Sequence, residues 1–559
     1  MSLFGSSEVI YSTEPPVAPE PESAPPLHAP EPPAPTPPPV VIPPAVPDTS
    51  YVKWVLAGLL GLVAIYAVWA STVGWGNTLY SDRHQFRQSQ TAINCFYMLQ
   101  DGLALDYQTP VLGPPWKIPF ELPLYQWIVA GVVKGLNAGL DPSGRAVSVL
   151  FYALTLVPMW FILGAIRVQR PHRLIFLTLS LVSPFYIFWS RAFMMESTAI
   201  CLSASYAACV ICYADLRAKG RPIKSVAYLV VLAVLFGSLA AMVKITTIFG
   251  FGVATAMFVG KDLFRWPIPK FDFNRWWRAG ALLAVTGGIS LIAGTLWTHH
   301  ADAIKAASAM TKSMTSYSTQ MIEWNFGKPG QRFALGTWDV ILGRAGTVLS
   351  TNSVLWLGCL AALIVTRRRW KESLACVMLY LASPLVFVNL QWEHDYYMYA
   401  NGLFLIAAVG FCVLGIFESP RGAGVGIAAM TVVIVASVLQ FFSLYYPMQA
   451  NNNTSLEPLI QAIKDKVSPD QAVIYMGLDW DSTIPYYTRR RAIMIPGWLT
   501  EDQIIAAMPD WKTFGVGGVV LVHPDGPGPK PAFLYEQMAK SGFDMNILPI
   551  INLNRSVPQ

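Results

Sequence analysis

The chain has 559 residues, 54% hydrophobic and only 13% charged, against roughly 25% charged in an ordinary soluble domain, which excludes a soluble globular protein. Six of the seven cysteines fall inside apolar runs, Cys95 being the exception, so no disulfide framework is implied. The formal charge of +6 is accounted for by basic loops between apolar runs, and no nucleic-acid partner is called for.

Residues 1–50 come first. They are rich in Pro and Ala, include Pro37-Pro38-Pro39, and predict a disordered or polyproline-like arm. The basic n-region and small-residue cleavage pattern of a secretory signal are missing. Eleven apolar runs follow, at 54–73, 146–166, 174–190, 197–214, 226–243, 245–260, 280–297, 347–366, 373–390, 400–417 and 423–442. Each is near the roughly 20 residues a helix needs to cross the hydrocarbon core, with 174–190 and 245–260 on the short side. Alternate short loops are basic: Arg167, Arg170 and Arg173; Arg217 to Lys224; Lys261, Arg265, Lys270, Arg275 and Arg278; Arg367 to Lys371; and Arg421. The loops between them hold little more than Arg191 and Lys244. Basic loops stay cytoplasmic, so the N-terminus is expected inside and the C-terminus outside, although the arm before Lys53 carries no Lys or Arg.

Two long segments are then expected on the outer side. The first, 74–145, opens with Asp82-Arg83-His84-Gln85-Phe86-Arg87-Gln88-Ser89-Gln90-Thr91, and later holds Gly113-Pro114-Pro115 and Glu121-Leu122-Pro123-Leu124-Tyr125-Gln126-Trp127. Residues 123–140 are interrupted by Gln126 and Lys134 and predict an interfacial helix rather than a twelfth span. The second, 298–346, contains Glu323-Trp324-Asn325-Phe326-Gly327 and Arg332, and predicts a surface-lying cap over the same site. Residues 443–559 change character. Ala472–Met476, Ala492–Ile495, Val516–Val522 and Ile547–Leu553 predict strands and 501–508 and 532–540 helices, together a small outer α/β domain for docking or acceptor handling. The expected organisation is thus an arm at 1–50, a membrane domain at 51–442 and the α/β domain at 443–559.

Ionisable groups at membrane depth are costly, so those at the ends of spans are candidates for function. Asp82, Arg83, His84, Arg87, Glu121, Arg191, Glu196, Lys244 and Glu393-His394-Asp395-Tyr396-Tyr397 all fall on the expected outer side. Acids, several cations and many aromatics suit a phosphate-bearing amphiphile reacting with a hydroxyl. A carboxylate would take the acceptor proton and Arg or Lys would stabilise the departing phosphate. The residues alone name no sugar.

These motifs resemble the GT-C class of membrane glycosyltransferases that use polyprenyl-phosphate sugars, a class that includes protein O-mannosyltransferases and lipid A aminoarabinose transferases. The class carries an acidic motif followed by an aromatic, a Gly-Pro region and Glu-x-Pro-x-x-x-Trp. A bacterial branch reads His-x-Trp-Arg-Gln-x-Asp-Thr where this chain has His84-Gln85-Phe86-Arg87-Gln88-Ser89-Gln90-Thr91, over a resemblance spanning about residues 54–442. The resemblance implies a helical polytopic GT-C-like fold of about eleven transmembrane helices in a bacterial inner membrane. It also implies a polyprenyl-phosphate sugar donor, membrane lipids, and a glycan, lipid or protein acceptor.

Two departures matter. Phe86 keeps an aromatic wall where the branch has Trp, and Gln90 cannot be the base its Asp would be; the resemblance implies Asp82 as the base, by its alignment with the acidic pair of the wider class. The plainer reading of Asp82 is an acid pairing Arg83 or Arg87. Glu196 matches the class's second acid, against a carboxylate favoured at a helix N-terminus. Lys244 matches a lipid-phosphate contact, against a snorkelling lysine. His394 and Tyr397 match a His-x-Tyr-Tyr pattern, against an interfacial aromatic belt. Arg83, His84, Arg87, Arg191 and Arg332 complete the expected phosphate and sugar contacts. Glu121 is a candidate ligand for a divalent cation with His84 or His394, against a structural hydrogen bond. No spacing names a metal and no cofactor is assigned. A transporter or flippase is the competing class, and would place its ionisable groups mid-span, with internal repeats.

Overall fold

The computed structural model describes residues 50–261, 272–420, 422–522, 528–546 and 548–552. The arm to residue 49, the loop residues Arg265, Lys270 and Arg421, and the strand ends Ile547 and Leu553 lie outside them. The described residues belong to one compact unit.

All eleven apolar runs are carried largely on helices. Among the described residues, six helices are long and apolar enough to cross a membrane: Tyr51–Thr72, Leu140–Ala165, Glu196–Ala218, Ile223–Gly260, Phe273–Ala306 and Gly422–Ala450. Two further runs are bent rather than straight, Arg170–Val182 with Pro184–Ser190 at 62° and Leu335–Val348 with Ser353–Thr366 at 83°. The causes are local. Ser183 precedes Pro184, which disfavours the α region for it, and Ser183 sits at φ −57°, ψ 115°. Asn352 starts the second half of the other bend by accepting the Val354 N–H at 2.9 Å. The two breaks touch, since the buried Ser183 hydroxyl donates to the Val348 carbonyl. The helix Gly402–Phe417 is shorter still, and so is Leu124–Leu136. At 13 residues the latter reaches only about 20 Å, short of the roughly 30 Å hydrocarbon core.

The runs 226–243 and 245–260 form one hydrogen-bonded element, Ile223–Gly260, whose only non-helical residue is Lys244 (φ −163°, ψ 95°). A straight helix would place residues 237 and 255 about 27 Å apart. Yet both meet the same side chain: a Cβ on Gly237 would lie 2.8 Å from the Tyr206 ring, and Thr255 Oγ1 is 3.5 Å from Tyr206 Oη. The chain therefore doubles back at Lys244 and lays both arms along the helix Glu196–Ala218.

Near the C-terminus a four-stranded parallel sheet has the order β2-β1-β3-β4, with β1 Ala472–Met476, β2 Ala492–Ile495, β3 Val516–Leu521 and β4 Ile550–Asn552. Every residue of β1, β2 and β3 is buried, which is why these strands read as unbroken apolar runs. The predicted helix 501–508 continues to Phe514 despite Pro509, because the fully buried Trp511 carries the next turn inward. Helix 532–540 is found as Pro531–Lys540, while Glu457–Lys466 and Thr483–Thr488 were not foreseen.

The sheet is sewn to the segment 74–145. Ala492 and Met494 of β2 donate to the Pro110 and Val111 carbonyls at 2.9 Å, and Gly113 donates to Ala492 at 3.3 Å. Gly113 has φ +78°, and a Cβ there would lie 3.0 Å from the Trp511 indole nitrogen, so the approach of loop to sheet requires glycine.

The fold-back makes a stability prediction. Gly237→Leu drives a side chain into Tyr206 and Ser290 and is expected to cost ~1–3 kcal/mol in the thermal or denaturant unfolding of purified protein. Gly252→Ala, on the same element with nothing within 4 Å, should be neutral or stabilising by up to ~1 kcal/mol. Equal effects would contradict the doubled-back geometry.

Candidate active site

The motif that opens the segment 74–145 folds as a tight corner. Leu79–Ser81 is one 3-10 turn, Asp82 follows it extended, and His84 is left-handed (φ +52°) before the helix Gln85–Asp101 begins. Gln88 holds the corner: its amide nitrogen donates to the Arg83 carbonyl at 3.0 Å, and its oxygen accepts the Phe193 N–H at 2.9 Å. The corner is thereby fixed to the turn that leads into Glu196, and its charged side chains fan out into three clusters.

Asp82 lies in the first. Its side chain is 7% exposed, and Oδ2 faces Arg145 Nη2 at 2.7 Å and Arg191 Nη2 at 4.0 Å. Among the described residues its Oδ1 accepts no hydrogen bond. Arg145, wholly buried, also donates to the Trp75 and Asn77 carbonyls, and Arg191 donates to those of Val73 and Gly74. Neither Arg83 nor Arg87 is the partner of Asp82, so the pairing expected for its plainer reading is replaced by one with Arg145 and Arg191. Arg145 was missed, although an arginine one residue before an apolar run, on the side where cations are scarce, was a usable signal.

The second cluster gathers Arg87, Glu121, Glu196 and Lys244. Arg87 pairs with Glu121, and its other terminal nitrogen donates to Gln90 Oε1. Lys244, at the fold-back, pairs with Glu196 Oε1 and lies 4.8 Å from the centre of the Tyr397 ring and 5.4 Å from that of Tyr396. Burial disfavours the Arg87 charge, but Glu121 and the nearby Glu196 more than offset this and raise its pKa. Glu196 Oε2 and Gln90 Nε2 are buried without a hydrogen-bond partner among the described residues. Glu121 is pinned from several sides: Tyr107 Oη donates to its carbonyl at 3.1 Å, Trp297 Nε1 donates to the Phe120 carbonyl at 3.0 Å, and Leu122 N–H donates to Met242 at 2.9 Å.

The third cluster is built on Asp395, which pairs with Arg83 at 3.1 Å and accepts from His84 Nε2 at 2.8 Å. The His84 ring centre is 4.9 Å from that of His394 and 5.0 Å from that of Tyr396, and Trp324 of the second outer segment covers His394 at 5.7 Å. Burial lowers His394 to about 4, and the neighbouring His84 adds to the effect. Burial would raise Asp395, but the His84 hydrogen bond and the Arg83 charge outweigh it and hold the carboxyl below its usual range.

Of the expected residues, then, Arg83, His84, Arg87, Glu121, Glu196, Lys244, His394 and Tyr397 meet around Tyr396, and Asp82 and Arg191 adjoin them through the 191–196 turn. Arg332 does not join. Its guanidinium donates to the Phe326, Leu385 and Val386 carbonyls and so satisfies the end of the helix Trp370–Val386. Glu121 faces Arg87, while His84 and His394 gather at Asp395; among the described residues no group of three or more potential ligands is arranged to hold a metal ion. A cavity of about 630 Å³ between Ser350–Asn352 and the helix Gly422–Gln440, and another of about 460 Å³ beside Asp101, Asp106 and Lys117, are lined by none of the clustered residues.

No protein-family model and no curated protein matches the chain. Solved structures do match. ArnT from Cupriavidus metallidurans bound to undecaprenyl phosphate superposes with a TM-score of 0.57 at 13% identity, over 82% of this chain and 89% of that one. The archaeal oligosaccharyltransferase AglB from Archaeoglobus fulgidus, in complex with an inhibitory peptide and a dolichol-phosphate, superposes with a TM-score of 0.53 at 11% identity, over 84% and 69%. The chain therefore has a GT-C-like membrane fold with a small sheet near its C-terminus.

The lowered His394 predicts a pH dependence. The folded ring takes its proton only near pH 4, the unfolded one near 6.5, so between these values the unfolded state binds more protons and stability rises with pH, levelling off above 6.5. The thermal midpoint should fall when purified protein is taken from about pH 7 to about pH 5, and His394→Gln should reduce that fall. An undiminished fall in the variant would contradict this.

Proposed function

We propose that the protein is a membrane glycosyltransferase that moves a sugar from a polyprenyl-phosphate carrier to an acceptor hydroxyl at the outer face. The observation that carries this reading is the second cluster: Arg87 and Lys244, from distant parts of the chain, share one set of carboxylates and tyrosines in a GT-C-like fold. ArnT and AglB, with which the fold compares, were solved with undecaprenyl phosphate and a dolichol-phosphate, which supports the same class of donor here.

In this reading the acceptor oxygen attacks the sugar's anomeric carbon as its bond to the phosphate oxygen breaks, and configuration inverts. The phosphate leaves with the bonding electrons, and Arg87 and Lys244 stabilise the charge that develops on it. Asp82 takes the acceptor's proton. Its Oδ2, fixed by Arg145 and Arg191, sets the direction of the free Oδ1. Glu196 positions Lys244, and Arg83, His84 and Tyr397 line the donor side. The N-terminus is cytoplasmic and the C-terminal sheet lies outside, as the basic loops require.

The test is transfer from radiolabelled undecaprenyl-phosphate sugars by purified protein in lipid nanodiscs, with surface glycans, lipids and proteins of the parent cell as acceptors. Asp82→Asn should lower transfer by about 10²–10⁴-fold while carrier binding persists; retained turnover removes Asp82 as base. Lys244 and Glu196 neutralise each other in a buried place, so the donor test uses Lys244→Met with Glu196→Gln, which leaves no lone charge. That double variant should weaken undecaprenyl-phosphate binding by about 10–100-fold. Unchanged binding would remove the second cluster as the phosphate site, and label carried only across the bilayer would make the protein a flippase.

A further inference from the structure

The C-terminal sheet reaches the charged clusters through one side chain. After β1 the chain turns at residues 477–482, with Gly477 (φ +84°) and Asp479 (φ +51°) both left-handed. Asp481 then accepts from the Thr483 N–H at 2.8 Å and its hydroxyl at 2.6 Å, starting the helix Thr483–Thr488. That helix is a fixed base. Tyr486 and Tyr487 donate to the Asp141 carboxylate, and Tyr487 Oη accepts the Leu79 N–H at 2.6 Å, three residues before Asp82.

The turn presents Trp480 to Phe86 and Phe120, with ring centres 5.1 and 5.7 Å away. Those two phenylalanines are the chain neighbours of Arg87 and Glu121. All three rings are partly exposed and Asp479 is exposed, while Lys305 Nζ stands 5.1 Å from the centre of the Phe120 ring. The place in the sheet is also telling. β1 passes to β2 on one side and has β3 on the other, and open parallel sheets hold ligands outside the carboxyl ends of their strands at such a switch point.

Building on the proposed function, we propose that the 477–482 turn with Phe86 and Phe120 forms the acceptor-side wall of the site, and that the acceptor presents a pyranose ring, so that it is a glycan. The chemistry of the wall selects this class. The C–H face of a pyranose packs on aromatic rings, and the exposed Asp479, next to Trp480 in the chain, offers its hydroxyls a carboxylate, while the buried Lys305, paired with Asp302 and donating to the Met314 carbonyl, backs the Phe120 ring. An alkyl chain would need a continuous apolar track, and here the rings alternate with charged groups. A sugar held on this wall brings its hydroxyl beside the Arg87–Glu121 pair, where the donor phosphate is expected.

The test uses the full chain in nanodiscs, photolabelled with diazirine-bearing methyl pyranosides (gluco, manno and galacto), an alkyl diazirine and a serine-containing peptide diazirine, with undecaprenyl-phosphate binding measured on the same samples. Pyranoside label should map to residues 477–482, Phe86 or Phe120. It should fall about tenfold in Trp480→Ala and in Asp479→Asn, the weight of one such contact, with carrier binding unchanged. Should Trp480→Ala fail to fold, the exposed Asp479→Asn decides. Peptide or alkyl label on the wall in place of pyranoside, pyranoside label elsewhere or absent, or undiminished label in the variants would overturn the inference. Loss of carrier binding in the wild-type protein would instead overturn the proposed function.

Discussion

A charge can be buried at the edge of a membrane only if another charge is buried with it, and this constraint organises the whole structure. Asp82 is tolerable at 7% exposure because Arg145 and Arg191 flank it, and Lys244 is tolerable inside an apolar element because Glu196 receives it. Each pair joins segments remote in sequence. Together the pairs clamp the first outer segment, the 191–196 turn, the fold-back at Lys244 and the 394–397 turn at one end of the helical bundle.

The clamp explains why irregular backbone collects at the same end. Helices must satisfy their backbone groups internally within lipid, so breaks are tolerated only where protein surrounds them. The break at Ser183 is buried against Val348, at which the arm before the second break ends, and the break at Lys244 is covered by Tyr396 and Tyr397. The sheet extends the arrangement. Bonded along β2 to residues 110–113 and resting Tyr486 and Tyr487 on Asp141, it is packed into the same unit as the helices, where it is proposed as a wall of the site.

Much of this was legible because it depends on cost. Apolar runs had to be helices, strands buried on both faces had to read as runs without charge or alternation, and a lysine between two apolar runs had to mark a turn. That charges gather was legible for Glu196 and Lys244 because they sit at the ends of apolar runs, and for Arg87 because it stands in a dense charged motif between runs. The partners were not. Nothing local joins Asp82 to Arg145, 63 residues away, or tells that Arg332 serves the carbonyls ending the helix Trp370–Val386. Straight spans were expected at 174–190 and 347–366 because hydropathy averages over the single Pro and Asn that break them. Trp480 carried no periodic signal at all; only the fold brings it to Phe86.

Cryo-electron microscopy of the full chain with undecaprenyl phosphate shows whether Arg87 and Lys244 hold a lipid phosphate as proposed. The phosphate is expected within hydrogen-bonding distance of both, with Glu121 or Glu196 displaced from its present partner. A headgroup resolved instead in the cavity between Ser350–Asn352 and the helix Gly422–Gln440, with both ion pairs intact, would contradict it.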